Sequence, residues 1–385
     1  MVKFKKNEKI KLCFYITFFY REKRLKFLYF VLRNIGEFLS VNICVHIFTN
    51  VKTGKEIDKI KNIVKLIMSD NTLFYIHSED VEENPQSLTW SHKKIMKKEY
   101  EAAEYDYYIY LEDDIRFSFS NFLYFIEYRE KLKKFNLIPG FLRIEYNYMT
   151  NDIYWADNTE PLLFCEEIHD PAIEIENNFF VSHKFPYAAM FILDRELCRE
   201  YFSSRSSDIN ESSSVTPWQI SERSAMGLTW ENVPKRFVSR LVVPVSKETG
   251  KVLPACLIDH LPSNYTNTKR EDGLGSYKLN DSIVVSLCHN VFLPSIENII
   301  SNKWSFGPLG HKENAIIEFS EKGKFVGETT PNECYWEIDG DILKIYNKDR
   351  LLSWRFIFFE KNPMRAIGKS TPLIGKFNFE LKQVL

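Results

Sequence analysis

Through its first 150 residues the chain alternates short apolar runs with segments whose apolar residues recur every three or four positions, and that alternation admits few folds. Lys11 to Tyr20 reads as a buried strand. Leu25, Leu28, Leu32, Ile35 and Leu39 then fall on one helix face. Val41 to Phe48 is a second strand, Ile57 to Met68 a second helix, Thr72 to Ile76 a third strand and Thr89 to Ala103 a third helix. Tyr107 to Leu111 is a fourth strand. Strands separated by helices pair in parallel with helices over both faces, so the expected class is α/β with a mostly parallel, Rossmann-like sheet.

The pattern continues with a helix near 121–135, a turn at Pro139-Gly140, a strand over Phe141 to Glu145 and another over Tyr187 to Leu193, with Asp194 placed to cap the next helix. Residues 150–184 are acidic and weakly periodic, the composition of a long functional loop. Thr216-Pro217 predicts a helix start and Gly227 its end, before a strand over Val238 to Val245. From about Trp304 the apolar residues Ile316, Phe319, Phe325, Trp336, Ile338, Ile342 and Ile345 sit in short runs, with turn signals at Lys322-Gly323 and Asp339-Gly340. That change predicts an antiparallel β domain. The expected layout is a domain over 1–275, a connecting segment over 276–300 and the β domain over 301–385.

Lys plus Arg is 51 and Asp plus Glu 52, a net charge of −1, which argues against non-specific nucleic-acid binding. Cys13, Cys44, Cys165, Cys198, Cys256, Cys288 and Cys334 are dispersed without a C-x-x-C pair, the pattern of free thiols in a reducing compartment. Leu12 to Tyr20 is shorter than the roughly 20 residues a bilayer requires. The expectation is a cytoplasmic protein without a transmembrane segment, with peripheral membrane contact left open.

The fourth strand runs straight into Glu112-Asp113-Asp114. In α/β sheets, ligands bind beyond the carboxyl ends of the strands, where this triplet falls. Three adjacent carboxylates repel one another, and a divalent cation relieves that cost. Mg²⁺ and Mn²⁺ take oxygen ligands and commonly bridge carboxylates to substrate phosphates. A solvated acidic turn is the competing reading.

An apolar strand ending in Glu-Asp-Asp resembles the Asp-x-Asp motif of the metal-dependent GT-A glycosyltransferases, including those that build bacterial surface polysaccharides. The order of elements from Lys11 to Asn267 resembles their layout, a nucleotide-binding αβα half followed by an acceptor half. The resemblance implies a GT-A catalytic domain using Mn²⁺ or Mg²⁺, a nucleotide-sugar donor and a glycan or glycolipid acceptor. It implies Asp114 as metal ligand, Glu112 as nucleotide contact or further ligand, and His260, in Asp259-His260-Leu261, as a late metal ligand. Glu222 resembles the catalytic base of such enzymes, although it is followed by Arg223 where one large inverting family has Asp; Glu231 competes for the role.

On the donor side, His92 and Lys93 precede the motif strand by one helix, and a cation there can offset a diphosphate. Asp113 and Arg143 complete the donor candidates. Arg143 and Glu145 alternate with apolar residues, so both can face the cleft; a structural ion pair is the alternative. Trp336 and Asn332-Glu333 are either a sugar-stacking patch or core. A non-catalytic carbohydrate-binding or assembly protein on a degenerate transferase fold is the alternative function.

Overall fold

The computed structural model describes residues 10–38, 42–69, 72–156, 172–182, 185–235, 237–266, 276–278, 294–308, 315–326, 330–339, 342–361, 363–370 and 378–384. The chain divides into two units. The first comprises Met1–Asn158, Ser182–Pro244 and Val252–Asn280, and the second Thr159–Val181, Val245–Lys251 and Asp281–Leu385. Cys165, Cys288, residues 157–171 and 183–184 of the loop expected over 150–184, and most of the connecting segment over 276–300 lie outside the described residues.

The first unit is a mixed α/β structure. Its opening elements are β1 (Lys11–Phe18), α1 (Leu25–Gly36), β2 (Asn42–Thr49), α2 (Gly54–Ile67), β3 (Leu73–Ser78), α3 (His92–Glu101) and β4 (Tyr107–Glu112). Each follows the apolar pattern. In α1 the buried residues include Leu28, Val31, Leu32 and Ile35, one face at helical spacing. Thr53 begins α2 by accepting the Glu56 N–H, a cap that moves the start three residues before the expected Ile57. The chain continues through β5 (Ile115–Arg116), α4 (Phe119–Lys133), β6 (Ile138–Pro139), β7 (Leu142–Asn147) and β8 (Asp152–Ala156). Ser118 and Asn121 form a reciprocal cap that starts α4.

In the second unit, β9 (Ala172–Ile175) and β10 (Asn178–Ser182) make a hairpin whose last residue belongs to the first unit. The first unit then adds β11 (Met190–Asp194), α5 (Arg195–Phe202), α6 (Ile220–Ser224), β12 (Leu241–Ser246, its last two residues in the second unit), β13 (Leu257–His260) and β14 (Ser276–Lys278). Asp194 caps α5, accepting the Leu197 N–H at 2.7 Å. The helix expected from Thr216-Pro217 begins instead at Ile220. Thr216 Oγ1 closes a local turn onto the Trp218 N–H, and Glu222 reaches back to accept the Gln219 N–H where α6 starts.

The main sheet has the order β11-β4-β1-β2-β3. Four strands run parallel and β11 is antiparallel to β4, so the sheet is mixed. Alternation gives its two faces different chemistry. Leu12, Phe14 and Ile16 of β1 share one face; Cys13, Tyr15 and Thr17 share the other. A second five-stranded sheet, β14-β8-β7-β13-β5, begins immediately after the triplet. In it β13 pairs parallel with β7 and antiparallel with β5, which sets His260 opposite Ile115.

The second unit also holds α7 (Ile296–Ile300) and β15 (Lys303–Pro308), β16 (Ala315–Phe319), β17 (Phe325–Val326), β18 (Tyr335–Asp339), β19 (Ile342–Tyr346), β20 (Leu352–Lys361), β21 (Met364–Ser370) and β22 (Asn378–Gln383). These eight strands form one antiparallel sheet, β17-β16-β15-β22-β21-β20-β19-β18. A Lys324–Tyr335 bridge and the Trp336 N–H to Gly323 carbonyl bond, 2.9 Å, draw its two edges together. Gly323 has φ +67°, the left-handed turn that Lys322-Gly323 predicts. Trp304, Trp336, Trp354, Phe356, Phe358 and Leu381 pack in one core. Trp336 is therefore core, and buried Glu333 accepts the Trp354 indole N–H at 2.9 Å.

Candidate functional site

The triplet is fastened by its backbone from three directions. Glu112 N–H donates to the Ala189 carbonyl, Asp113 N–H to the Thr17 carbonyl, and the Asp114 carbonyl accepts the Leu261 N–H at 2.9 Å. The neighbouring strands β1 and β11 and the loop after β13 thus hold the three carboxylates at the carboxyl edge of the parallel strands. Ala189 has φ +53°, unfavourable for a residue with a Cβ, beside Glu112.

Each carboxylate has different company. Arg24, between β1 and α1, donates to both oxygens of Asp113 at 3.0 and 2.7 Å and to Oδ2 of Asp114 at 2.7 Å. His260 Nε2 lies 3.5 Å from the same Asp114 oxygen. Oδ1 of Asp114 is buried without a hydrogen-bond partner among the described residues. Glu112 accepts the Tyr187 hydroxyl at 3.0 Å.

Behind His260 stands Glu145, fully buried on β7. Its Oε1 takes His260 Nδ1, and its Oε2 accepts the N–H groups of Tyr265 and Thr266 at 2.8 and 2.9 Å. A carboxylate on the far nitrogen of an imidazole orients the ring, the usual support of a histidine metal ligand. Arg143, two residues before Glu145 on the same strand face, is buried between the rings of Tyr187 and Tyr265, 4.8 and 5.3 Å from their centroids.

The electrostatics leave the site short of positive charge. Burial, then the charge of Asp114, pushes the Glu112 carboxyl up to about 7. The same two causes push Asp113 up to about 8 against the pull of Arg24. Burial also opposes ionisation of Asp114, but His260 and Arg24 outweigh it and hold that carboxyl well below the usual range. Burial favours neutral His260, and Asp114 and Glu145 reverse this, raising it above an ordinary histidine.

These residues fit a divalent cation in part. An unpartnered carboxylate oxygen beside an oriented imidazole suits Mn²⁺ or Mg²⁺ completed by water and phosphate oxygens. Asp114 and His260 are brought together as predicted. Glu112, predicted as a further ligand, gives one oxygen to the Tyr187 hydroxyl and lies near enough to Asp114 and His260 to feel the charge of both.

Three other predicted residues, His92, Lys93 and Glu231, have different surroundings from those expected. His92 is fully buried, stacked on Tyr110 at 4.2 Å, with Nδ1–H donating to the Thr89 carbonyl at 2.8 Å. The Lys93 ammonium lies among the rings of Trp90, Phe191 and Tyr201 and donates to the Ser224 carbonyl at 2.8 Å. Both side chains turn into the core from α3 and cannot reach a donor phosphate. Glu231 is buried and accepts the N–H and hydroxyl of Ser206 at 3.0 and 2.8 Å, so it caps a turn and is no free base. Glu222 is half-buried and gives Oε2 to the Gln219 N–H at 2.9 Å. Its helix follows Trp218, whose ring lies 5.6 Å from that of Tyr187.

Sequence reasoning missed Arg24, Tyr187 and Tyr265. A signal for Arg24 was present: it stands just beyond the carboxyl end of β1, the strand beside β4, so it had to lie near the triplet. Tyr187 and Tyr265 carried no such signal. Among the described residues no helix is long and apolar enough to cross a membrane. No protein-family model and no curated protein matches this chain.

Proposed function

We propose that this chain is a divalent-metal-dependent glycosyltransferase of GT-A type, moving a sugar from a nucleotide-sugar donor to a glycan or glycolipid acceptor. The observation that carries the reading is the buried Asp114–His260 pair, oriented by Glu145 and crowned by Arg24, at the carboxyl edge of a largely parallel sheet. Asp114 and His260 would hold the metal, which when bound would bridge the donor diphosphate and offset the leaving-group charge.

Two cavities support the assignment of substrates. One of about 380 Å³ lies past the ends of β1, β2 and β3; Phe19, Tyr20 and Asn50 in its lining suit a nucleobase, and Glu56, Glu79 and Glu82 suit hydroxyl groups rather than phosphate. The other, about 500 Å³, is lined by Lys26, Phe27, Phe30, Arg33, Arg116 and Tyr148, with Leu261. Its basic and aromatic walls suit an acidic or lipid-linked glycan. Arg24, in reach of both acids and 27% exposed, is placed to exchange a carboxylate for a phosphate oxygen. Glu222, with one oxygen in the cap, has the other for the proton of an acceptor hydroxyl.

Thermal stabilisation by a panel of nucleotide sugars with Mn²⁺ tests the reading. A ligand at 100 times its Kd adds about 2.7 kcal/mol. Asp114→Asn should remove the Mn²⁺-dependent part, and Glu222→Gln should lower turnover by about 10²–10⁴ with donor affinity kept. If no nucleotide sugar stabilises the protein, or Asp114→Asn responds like the wild type, the assignment fails. Stabilisation without turnover on any acceptor would favour a carbohydrate-binding role.

A further inference from the structure

A second cluster of ligand-type side chains lies away from the acids. On the thiol-bearing face of the main sheet, β1 supplies Cys13 and β2 supplies Cys44 and His46. Strand alternation puts Cys44 and His46 on the same face, and the parallel register sets Cys13 opposite Cys44. Glu99 of α3 closes the group from above. One ligand atom from each of the four residues lies within 4.8 Å of all the others.

The neighbouring distances already approach those of a metal shell. Cys44 Sγ is 3.4 Å from His46 Nε2, His46 Nε2 is 2.9 Å from Glu99 Oε1, and Cys13 Sγ is 3.5 Å from Glu99 Oε2. Tetrahedral zinc, with bonds of about 2.0–2.3 Å, separates adjacent ligand atoms by roughly 3.3–3.8 Å. We propose that Cys13, Cys44, His46 and Glu99 form a closed, structural zinc site that ties α3 to the amino-terminal half of the sheet.

The surroundings supply the support such a site requires. His46 Nδ1 is 2.9 Å from His77 Nε2, and a proton on Nδ1 shared with His77 leaves Nε2 as the metal-facing lone pair. The Tyr15 hydroxyl donates to Glu99 Oε2 and fixes that carboxylate. Four protein ligands leave no open position, which separates the site from catalysis. Cys13 is paired with Tyr108, four residues before Glu112, so along the strands the cluster stands about 13 Å from the acids. On binding, each thiol yields its proton to solvent and both sulfurs ligate as thiolates.

The test uses the full-length chain, kept reduced, freed of metal by chelator and titrated with Co²⁺ and then Zn²⁺. The expected result is one equivalent of Co²⁺ producing a thiolate-to-cobalt charge-transfer band, bleached by one equivalent of Zn²⁺. The band should persist in Asp114→Asn and vanish in the Cys13→Ser, Cys44→Ser double variant. His77→Ala should weaken Co²⁺ about 10–100-fold while keeping the band. Should the double serine variant not fold, Glu99→Gln keeps the Tyr15 contact and must lose at least about tenfold in Co²⁺ affinity. Absence of a thiolate band in the wild type, its survival in the double variant, or unchanged affinity in Glu99→Gln overturns the proposal. So does a Cys13–Cys44 disulfide in the freshly isolated protein.

Discussion

Arg24 does the most at the level of single residues, since one guanidinium bonds two buried carboxylates. Removing one partner of a buried ion pair costs roughly 3–5 kcal/mol, because the other charge is left uncompensated. Arg24 is partly exposed, so Arg24→Gln should lie near the lower end of that range in chelator. Mn²⁺ should then restore more stability to the variant than to the wild type; equal Mn²⁺ effects in urea titrations would contradict the charge argument. His92 carries a separate, pH-dependent term. Burial, then the nearby Lys93 charge, holds it well below the ordinary histidine value. The unfolded chain therefore takes a proton near pH 6.5 that the folded chain refuses. The contribution is complete above that pH and is lost as pH falls, by up to about 1.4 kcal/mol per unit. His92→Phe should flatten the stability profile between pH 7 and 5, measured by urea midpoints; an unchanged slope would remove His92 from the account.

Pairs of elements show how side-chain size is matched across the β unit. Gly368 of β21 is directly opposite Phe356 of β20, and a Cβ added at Gly368 would stand 2.5 Å from two ring carbons of that buried phenylalanine. The ring covers the glycine as a side chain of its own would, and has no room to retreat. Gly368→Ala should destabilise this unit by about 1–3 kcal/mol, and Phe356→Leu in the same chain should recover part of the loss, a coupling visible in a double-mutant cycle. Additive effects would show that the two residues do not press on each other. In the first unit, α6 depends on the Gln219–Glu222 cap rather than on Thr216-Pro217. Both signals are legitimate helix starts, and the one whose glutamate accepts the cap N–H prevails.

At the scale of the whole molecule, the candidate acids and their supports all belong to the first unit: Arg24, Glu112, Asp113, Asp114, Arg143, Glu145, Tyr187 and His260. The β strands after residue 294 keep a core of their own around Trp304, Trp336 and Trp354. A chain ending at residue 293 should therefore retain Mn²⁺-dependent donor binding by calorimetry. Residues 294–385 alone should give a cooperative tryptophan-fluorescence transition. A truncated chain that keeps its near-ultraviolet circular dichroism but binds no donor would place part of the donor site in the β strands.

Local pattern determined much of this protein. Apolar periodicity marks β1 to β4 and α1 to α3, because burying a face requires spacing of two or of three to four whatever the partner. The loss of helical period after residue 300 likewise marks the antiparallel sheet. That Asp114 and His260 come together was legible because a residue at the end of a strand has few places to point. Tertiary structure alone decided the rest. His92, Lys93 and Glu231 look like exposed polar residues in sequence, yet packing turned them inward, where Thr89 takes Nδ1 of His92 and Ser224 and Ser206 pair with Lys93 and Glu231. Arg24 and Tyr187 reach the acids only because β1 and β11 flank β4, an adjacency set by sheet order. Cys13, Cys44, His46 and Glu99 span 87 positions with no ligand spacing to betray them. Parallel pairing and the docking of one helix bring them together, since contacts across a sheet depend on register rather than on distance along the chain.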